Sequence, residues 1–113
     1  MNNKCSDSSR ISFVATDQQF NDEQILAAQA KALSHPARLR ILHILHTLDA
    51  MDGCLNSDFV SELGLAQSTV SEHLRILKQA NFITADPNPP KVCYRINREA
   101  LNKFNTKFSD FLS

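Results

Sequence analysis

Three cysteines and four histidines are the side chains best suited to metal or redox chemistry, and their spacing decides what they can do. Cys5, Cys54 and Cys93 are odd in number and widely separated, so they do not make a disulfide framework. His43 and His46 stand at i, i+3, a spacing that can ligate a metal, yet no full ligand set surrounds them. A surface or structural role is expected for them and for His35. Ser71, Glu72 and His73 superficially suggest acid–base chemistry, but helical neighbours one and two positions apart do not face each other. With two glycines in the chain, there is no phosphate-cradling loop, and no nucleophile signature appears. Catalysis is not expected.

Hydrogen bonding from one helix face is the chemistry the chain supplies well. In the stretch from Phe59 to Phe82, FVSELGLAQSTVSEHLRILKQANF, a short helix carrying Phe59, Val60 and Leu63 ends at Gly64. A second helix starts near Gln67 and runs to about Ala80. Its apolar positions Val70, Leu74 and Leu77 recur at i, i+4 and i+7 and make one buried stripe. Ser68, Ser71, Glu72, Arg75, Lys78 and Gln79 form the polar side. Two helices joined by a glycine turn, the second with a hydrogen-bonding face, make a helix-turn-helix. The second helix is the expected reader of DNA.

The remaining elements must position that helix. Residues 1–20 read as a flexible arm with a small apolar cluster, Ile11, Phe13 and Val14, and residues 21–113 as the folded domain. A first helix is expected from Asp22 to about Leu33, its acidic start matching the positive end of the helix dipole. Ser34 is the expected N-cap of the next helix, with Pro36 in its first turn. That helix turns Leu39, Leu42, Leu45 and Leu48 toward the core, widened by Ile41 and Ile44, and places Arg38 and Arg40 near its start, where phosphate contact, with Arg38 the DNA-binding candidate, stands beside a solvated surface role. Cys54 and Asn56 are expected to open the first helix of the helix-turn-helix.

After Asn81 the period changes from helical to alternating. Phe82-Ile83-Thr84 and Val92-Cys93-Tyr94-Arg95-Ile96 read as a β-hairpin, and the three prolines of ADPNPPK are expected to interrupt its ladder. A hairpin following a recognition helix is a wing, and Lys91 and Arg95 could touch the sugar-phosphate backbone. The fold class is therefore mainly α with a small β-hairpin wing (α+β), a winged helix-turn-helix. A last helix from about Asn97 to Leu112 lines up Leu101, Phe104, Phe108 and Phe111 on one face. Three phenylalanines exceed what a small core needs. A dimer interface is expected there, with Ile25 and Leu26 of the first helix, and two-fold pairing would set two recognition helices in successive major grooves.

Composition bounds this reading. A chain of 113 residues with 42% hydrophobic content fits one small domain, and no apolar run approaches a membrane span. The opening residues lack a signal peptide's apolar stretch, and a reducing cytoplasm is the expected location. The formal net charge is zero but uneven. Residues 1–74 hold five Lys/Arg against nine Asp/Glu, whereas residues 75–107 hold seven against two. Positive charge thus begins inside the recognition helix, where double-stranded DNA would lie.

KALSHPARLRILHIL followed by ELGLAQSTVSEHLRILKQANFI closely resembles the ArsR family of winged-helix bacterial repressors, from about Gln24 to Leu101. The resemblance implies a homodimeric repressor that leaves a palindromic operator when a signal arrives. It places DNA-reading positions on Gln67, Ser68, Thr69, Ser71 and His73, with Glu72 and Arg75 beside them. Glu72 departs from the arginine or glutamine common there, and Ala66 from a serine that would cap the helix.

Many such relatives sense arsenite or a divalent metal through paired cysteines. Here each C-x-C possibility is reduced to one sulfur, because Asn56 follows Cys54 and Arg95 follows Cys93 at the paired positions. The terminal helix holds no histidine for the family's other metal site. No cofactor is expected. Three readings of the thiols stand side by side. Cys5, Cys54 and Cys93 could form a three-sulfur arsenite site, since soft thiolates suit that inducer. Cys54 and Cys93 could form a redox-switched disulfide if their α-carbons come within ~7 Å. Or two or three of them are inert small hydrophobes, since free cysteine is commonly buried.

Overall fold

A computed structural model describes residues 13–56 and 64–113. Helix α1 (Asp17–Ala32) starts five residues before the expected Asp22, because Thr16 and Gln19 form a reciprocal capping box that fixes the first turn earlier. Helix α2 (Pro36–Ala50) is capped by His35 and not by Ser34; the Ala37 amide donates to His35 Nδ1 at 3.0 Å. The Ser34 hydroxyl turns back to the Lys31 carbonyl. Asp52, at φ 57°, closes α2, with the Gly53 amide reaching the Leu48 carbonyl.

Strand β1 (Leu55–Asn56) follows, and here the structure corrects the expectation that Cys54 and Asn56 open a helix. The expected helix of Phe59, Val60 and Leu63 lies outside the described residues. Gly64 after it has φ 64°, the left-handed conformation its place in the turn requires. Helix α3 (Gln67–Gln79) is the recognition helix, and Ala66 makes no side-chain cap. Asn81, at φ 66°, ends it in a Schellman arrangement in which the Phe82 amide bonds the Leu77 carbonyl and the Asn81 amide the Lys78 carbonyl. That turn drops Phe82 directly into the core.

Strands β2 (Ile83–Asn88) and β3 (Lys91–Ile96) form the hairpin, and β1 adds to its other side, giving the antiparallel order β1-β3-β2. The prolines do not interrupt the ladder as expected. Pro87 pairs with Val92, and the pairing continues to Asn88 and Lys91. Because β2 is an edge strand, a residue without an amide proton is tolerated there. Helix α4 (Arg98–Phe111), capped by Asn97, closes the chain. An Arg98–Asp49 ion pair ties its start to the end of α2, and a Lys107–Asp22 pair at 3.4 Å ties it to α1.

The core gathers Ile41, Leu42 and Leu45 of α2, Val70, Leu74 and Leu77 of α3, and Phe82, Ile83 and Ile96 of the hairpin. Each large side chain fully buried here contributes about 1.5–3 kcal/mol. Leu39, expected inside, is 52% exposed, and Ile41 takes its place on the inner face. The α3 stripe is therefore held from below by α2 and from the side by the wing.

Candidate nucleic-acid interface

The outward side of α3 carries Gln67, Ser68, Thr69, Ser71, Glu72, Arg75, Lys78 and Gln79, all exposed. Ser71, Arg75 and Lys78 line one wall of a groove of about 330 Å³ whose other wall is the wing, through Ala85, Pro87, Val92 and Tyr94. The helix and hairpin thus present one continuous surface. Arg75 is the best-anchored cation on it: its Nε donates to Glu72 at 2.9 Å and its Nη1 to Gln79 at 3.0 Å. The paired guanidinium holds the Glu72 carboxyl below its ordinary range and is itself held further into its charged form. Glu72 therefore neutralises Arg75 along the helix. Both side chains are half exposed, so solvent screens the pair and a phosphate can open it.

His73 departs from its expected place on this surface. It is buried, at 7% exposure, on the stripe with Val70, Leu74 and Leu77. Its ring centroid lies 4.4 Å from that of His35, and its Nδ1 lies 3.4 Å from Arg38 Nη1. Since a guanidinium only donates, Nδ1 accepts and the ring's proton belongs on Nε2. Burial first, then the nearby His35 and Arg38, holds the His73 pKa below its ordinary value. Arg38 is half-buried against this ring, with its Nε unpartnered.

On the wing, Arg95 Nη1 donates to the Gly53 carbonyl at 3.3 Å, and its Nε lies 3.7 Å from Asp86. Lys91 is exposed at the hairpin tip. Beside Arg95, Cys54 and Cys93 are joined by a disulfide with their α-carbons 5.7 Å apart. Strand pairing explains the meeting: Asn56 is opposite Cys93 and Leu55 opposite Tyr94, which brings the residue before β1 against the centre of β3. Cys5 lies outside the described residues. His43 and His46 are exposed, and no group of three metal-binding side chains occurs among the described residues.

The expected dimer face divides. Leu26 is buried within the chain, Leu101 and Phe104 pack partly against its own core, and Phe104 meets Phe82 edge-on at 5.7 Å. Ile25, Phe108 and Phe111 stay exposed, at 39%, 44% and 41%. A groove between α1 and α4 runs beside them, lined by Ile25, Gln29, Phe104 and Lys107.

Residues 35–85 match the model of the family described as bacterial regulatory protein, arsR family. Over 76 residues the chain is 33% identical to the HTH-type transcriptional regulator YgaV of Escherichia coli (strain K12), a match covering 67% of this chain and 74% of that protein. This chain belongs to the arsR family. The matched span runs from His35 through α3 to the middle of β2, so it contains the recognition helix and its support. The arsR-family chain is also 31% identical over 80 residues to the arsenical resistance operon repressor of Staphylococcus xylosus, covering 71% of this chain and 73% of that one. In fold it is similar to the homodimeric winged helix-turn-helix DNA-binding domain Mb0332 of Mycobacterium bovis, with a TM-score of 0.65 at 23% identity over 84% of this chain and 85% of that one. It is a transcriptional regulator with a winged helix-turn-helix, and no helix among its described residues is long and apolar enough to cross a membrane.

Sequence reasoning missed the His35–Arg38–His73 cluster, although the signal was present. Position 73 is i+3 from Val70 and i−4 from Leu77, so it falls on the buried stripe.

Proposed function

We propose that the chain is a cytoplasmic repressor that binds a palindromic operator as a homodimer. The observation that carries this reading is the single surface made by the polar row of α3 and the wing. Gln67, Ser68, Thr69 and Ser71 at the start of α3 offer hydroxyls and amides to base edges and phosphates in the major groove. Arg75 and Lys78 further along it, and Lys91 and Arg95 on the wing, supply phosphate contacts. The first amides of α3, left without a side-chain cap by Ala66, suit a further phosphate. Arg38 and His73 act from beneath: they position α3 and do not read bases.

Exposed Ile25, Phe108 and Phe111 support the two-fold contact, in keeping with the homodimeric state given for the Mycobacterium bovis domain. Dimerisation places two copies of α3 about 34–36 Å apart, one helical turn of DNA. The repressor reading is supported by the Staphylococcus xylosus relative.

The test is binding to a duplex carrying the chain's own upstream DNA, at several salt concentrations. Specific binding with a log–log salt slope near −0.9 per phosphate contact is expected. Salt-independent or absent binding would leave this face a protein-interaction surface.

A further inference from the structure

We infer that the cleft between α1 and the C-terminal half of α3 binds a small organic carboxylate with an apolar body, and that this ligand weakens the hold on DNA. The effect on DNA rests on the DNA-binding reading above; the site itself stands without it. The cleft has a volume of about 610 Å³, within the roughly 300–1,000 Å³ usual for small-molecule sites. It is walled by α1, the start of α2 and the last turns of α3.

The lining sorts by chemistry. Ile25, Ala28 and Ala32 of α1, with Ile76 and Ala80 at the end of α3, supply apolar surface. Alanine at i and i+4 on α1 leaves room that a larger side chain would fill. Three cations, Lys31, Arg38 and Arg75, line the same cleft with the carboxamides of Gln29, Gln79 and Asn81. No carboxylate among the described residues lines it. Apolar walls with cations and amide donors, and without acid, suit an anion that carries a hydrocarbon body.

Arg38 is the anchor. Its Nη1 meets the His73 ring at 3.4 Å, while its Nε is buried with no acceptor among the described residues. Glu72, an acid that senses its charge, is committed to Arg75. A half-buried guanidinium that gives one donor to an imidazole keeps the edge of Nε and Nη2, two parallel donors that a carboxylate accepts bidentately. A turn about the outer torsions of the side chain brings that edge to the cleft.

Arg75 couples the cleft to DNA, because it lines both this cleft and the groove beside the wing. A carboxylate in the cleft draws the Arg75 guanidinium inward together with Gln79, to which its Nη1 donates at 3.0 Å. Ligand and DNA phosphate then compete for one cation. The liganded chain is the weaker DNA binder.

The experiment titrates the full chain with unbranched carboxylates from butanoate to octanoate, followed by calorimetry and backbone amide NMR shifts, first alone and then with its upstream duplex. At least one should saturate, with shifts centred on Ala28, Lys31, Arg38 and Ala80. The matching uncharged amides should bind about tenfold more weakly, as should the carboxylate to Arg38→Gln. Ala28→Leu, which fills the cleft, should lose saturation and keep the parent's affinity for DNA. On the duplex, saturating carboxylate should lower the parent's affinity about threefold and leave that of Ala28→Leu unchanged. No saturation by any of the series, or equal saturation in Ala28→Leu, would overturn the site. Saturation with unchanged DNA affinity would overturn its coupling to DNA. A salt slope shallower by about one in Lys31→Gln would assign these cations to DNA phosphate and overturn the carboxylate assignment. Carboxylate binding by a chain that binds no duplex would sink the DNA-binding reading and the coupling while the site stood.

Discussion

The rings of His35 and His73 sit 4.4 Å apart, one at the N-cap of α2 and the other on the buried stripe of α3. Each accepts a hydrogen bond at Nδ1, His35 from the Ala37 amide and His73 from Arg38. The contact joins the support helix to the recognition helix and works only while the His73 ring stays neutral.

Acid should therefore weaken the fold at this joint. His73 has its folded pKa lowered, by burial first and then by His35 and Arg38, with Glu72 opposing. The unfolded chain, titrating near 6.5, binds the proton more readily, so this contribution to stability is complete above that pH and falls as pH drops below it toward the folded value. Denaturant unfolding between pH 7.5 and 5 should show the midpoint falling, and His73→Gln should flatten that part of the profile. An unchanged slope in the variant would place the acid sensitivity elsewhere.

The Glu72–Arg75 pair predicts a gain from a substitution. Glu72 presents a carboxylate on the face expected to meet phosphates and holds Arg75 along the helix axis. Glu72→Gln should raise DNA affinity about threefold and steepen the salt slope by about one contact, as Arg75 becomes available. A loss of affinity would instead mean that the carboxylate accepts from a cytosine amine, and that loss should depend on base sequence.

Features that depend on near neighbours were legible in the chain. The stripe of Val70, Leu74 and Leu77, the stop at Asn81 and the cap at Asn97 each follow from local spacing and local hydrogen bonds. The capping box of Thr16 and Gln19 was equally legible, as a T-x-x-Q pattern ahead of the helix. What escaped depends on residues distant in sequence. Strand β1 is two residues long and exists because Tyr94 and Cys93 lie opposite it, so no local period announces it. The same pairing brings Cys54 to Cys93, an alternative the sequence could state but not decide. Leu26 and Leu39 exchanged their expected places because the faces of α1 and α2 are chosen by how the helices pack, and both helices are apolar over more than one side.

On the recognition helix itself, Ser71 and Lys78 separate base reading from charge. Both are exposed and line the groove beside the wing. Lys78→Ala should weaken binding evenly across sequences and reduce the salt slope by about one. Ser71→Ala should leave the slope intact and lower affinity for the operator more than for random duplex. Equal behaviour of the two variants in both measurements would show that Ser71 touches only phosphate.

The phenylalanines of α4 give the last prediction, because they serve two ends. Phe104 meets Phe82 of the core edge-on at 5.7 Å, then stacks on Phe108 at 5.8 Å with the rings nearly parallel. Phe82 is fully buried, whereas Phe108 is 44% exposed on the outer side of that stack. A charge at Phe108 meets water in the monomer but an apolar surface in a dimer. Phe108→Asp should leave the thermal transition of the separated subunit cooperative while halving the mass measured by sedimentation at micromolar concentration. Phe104→Asp should lower stability by several kcal/mol, because a carboxylate would then abut the core. Should Phe108→Asp sediment as the parent does, the partner contact must be made by another face than that of Ile25, Phe108 and Phe111.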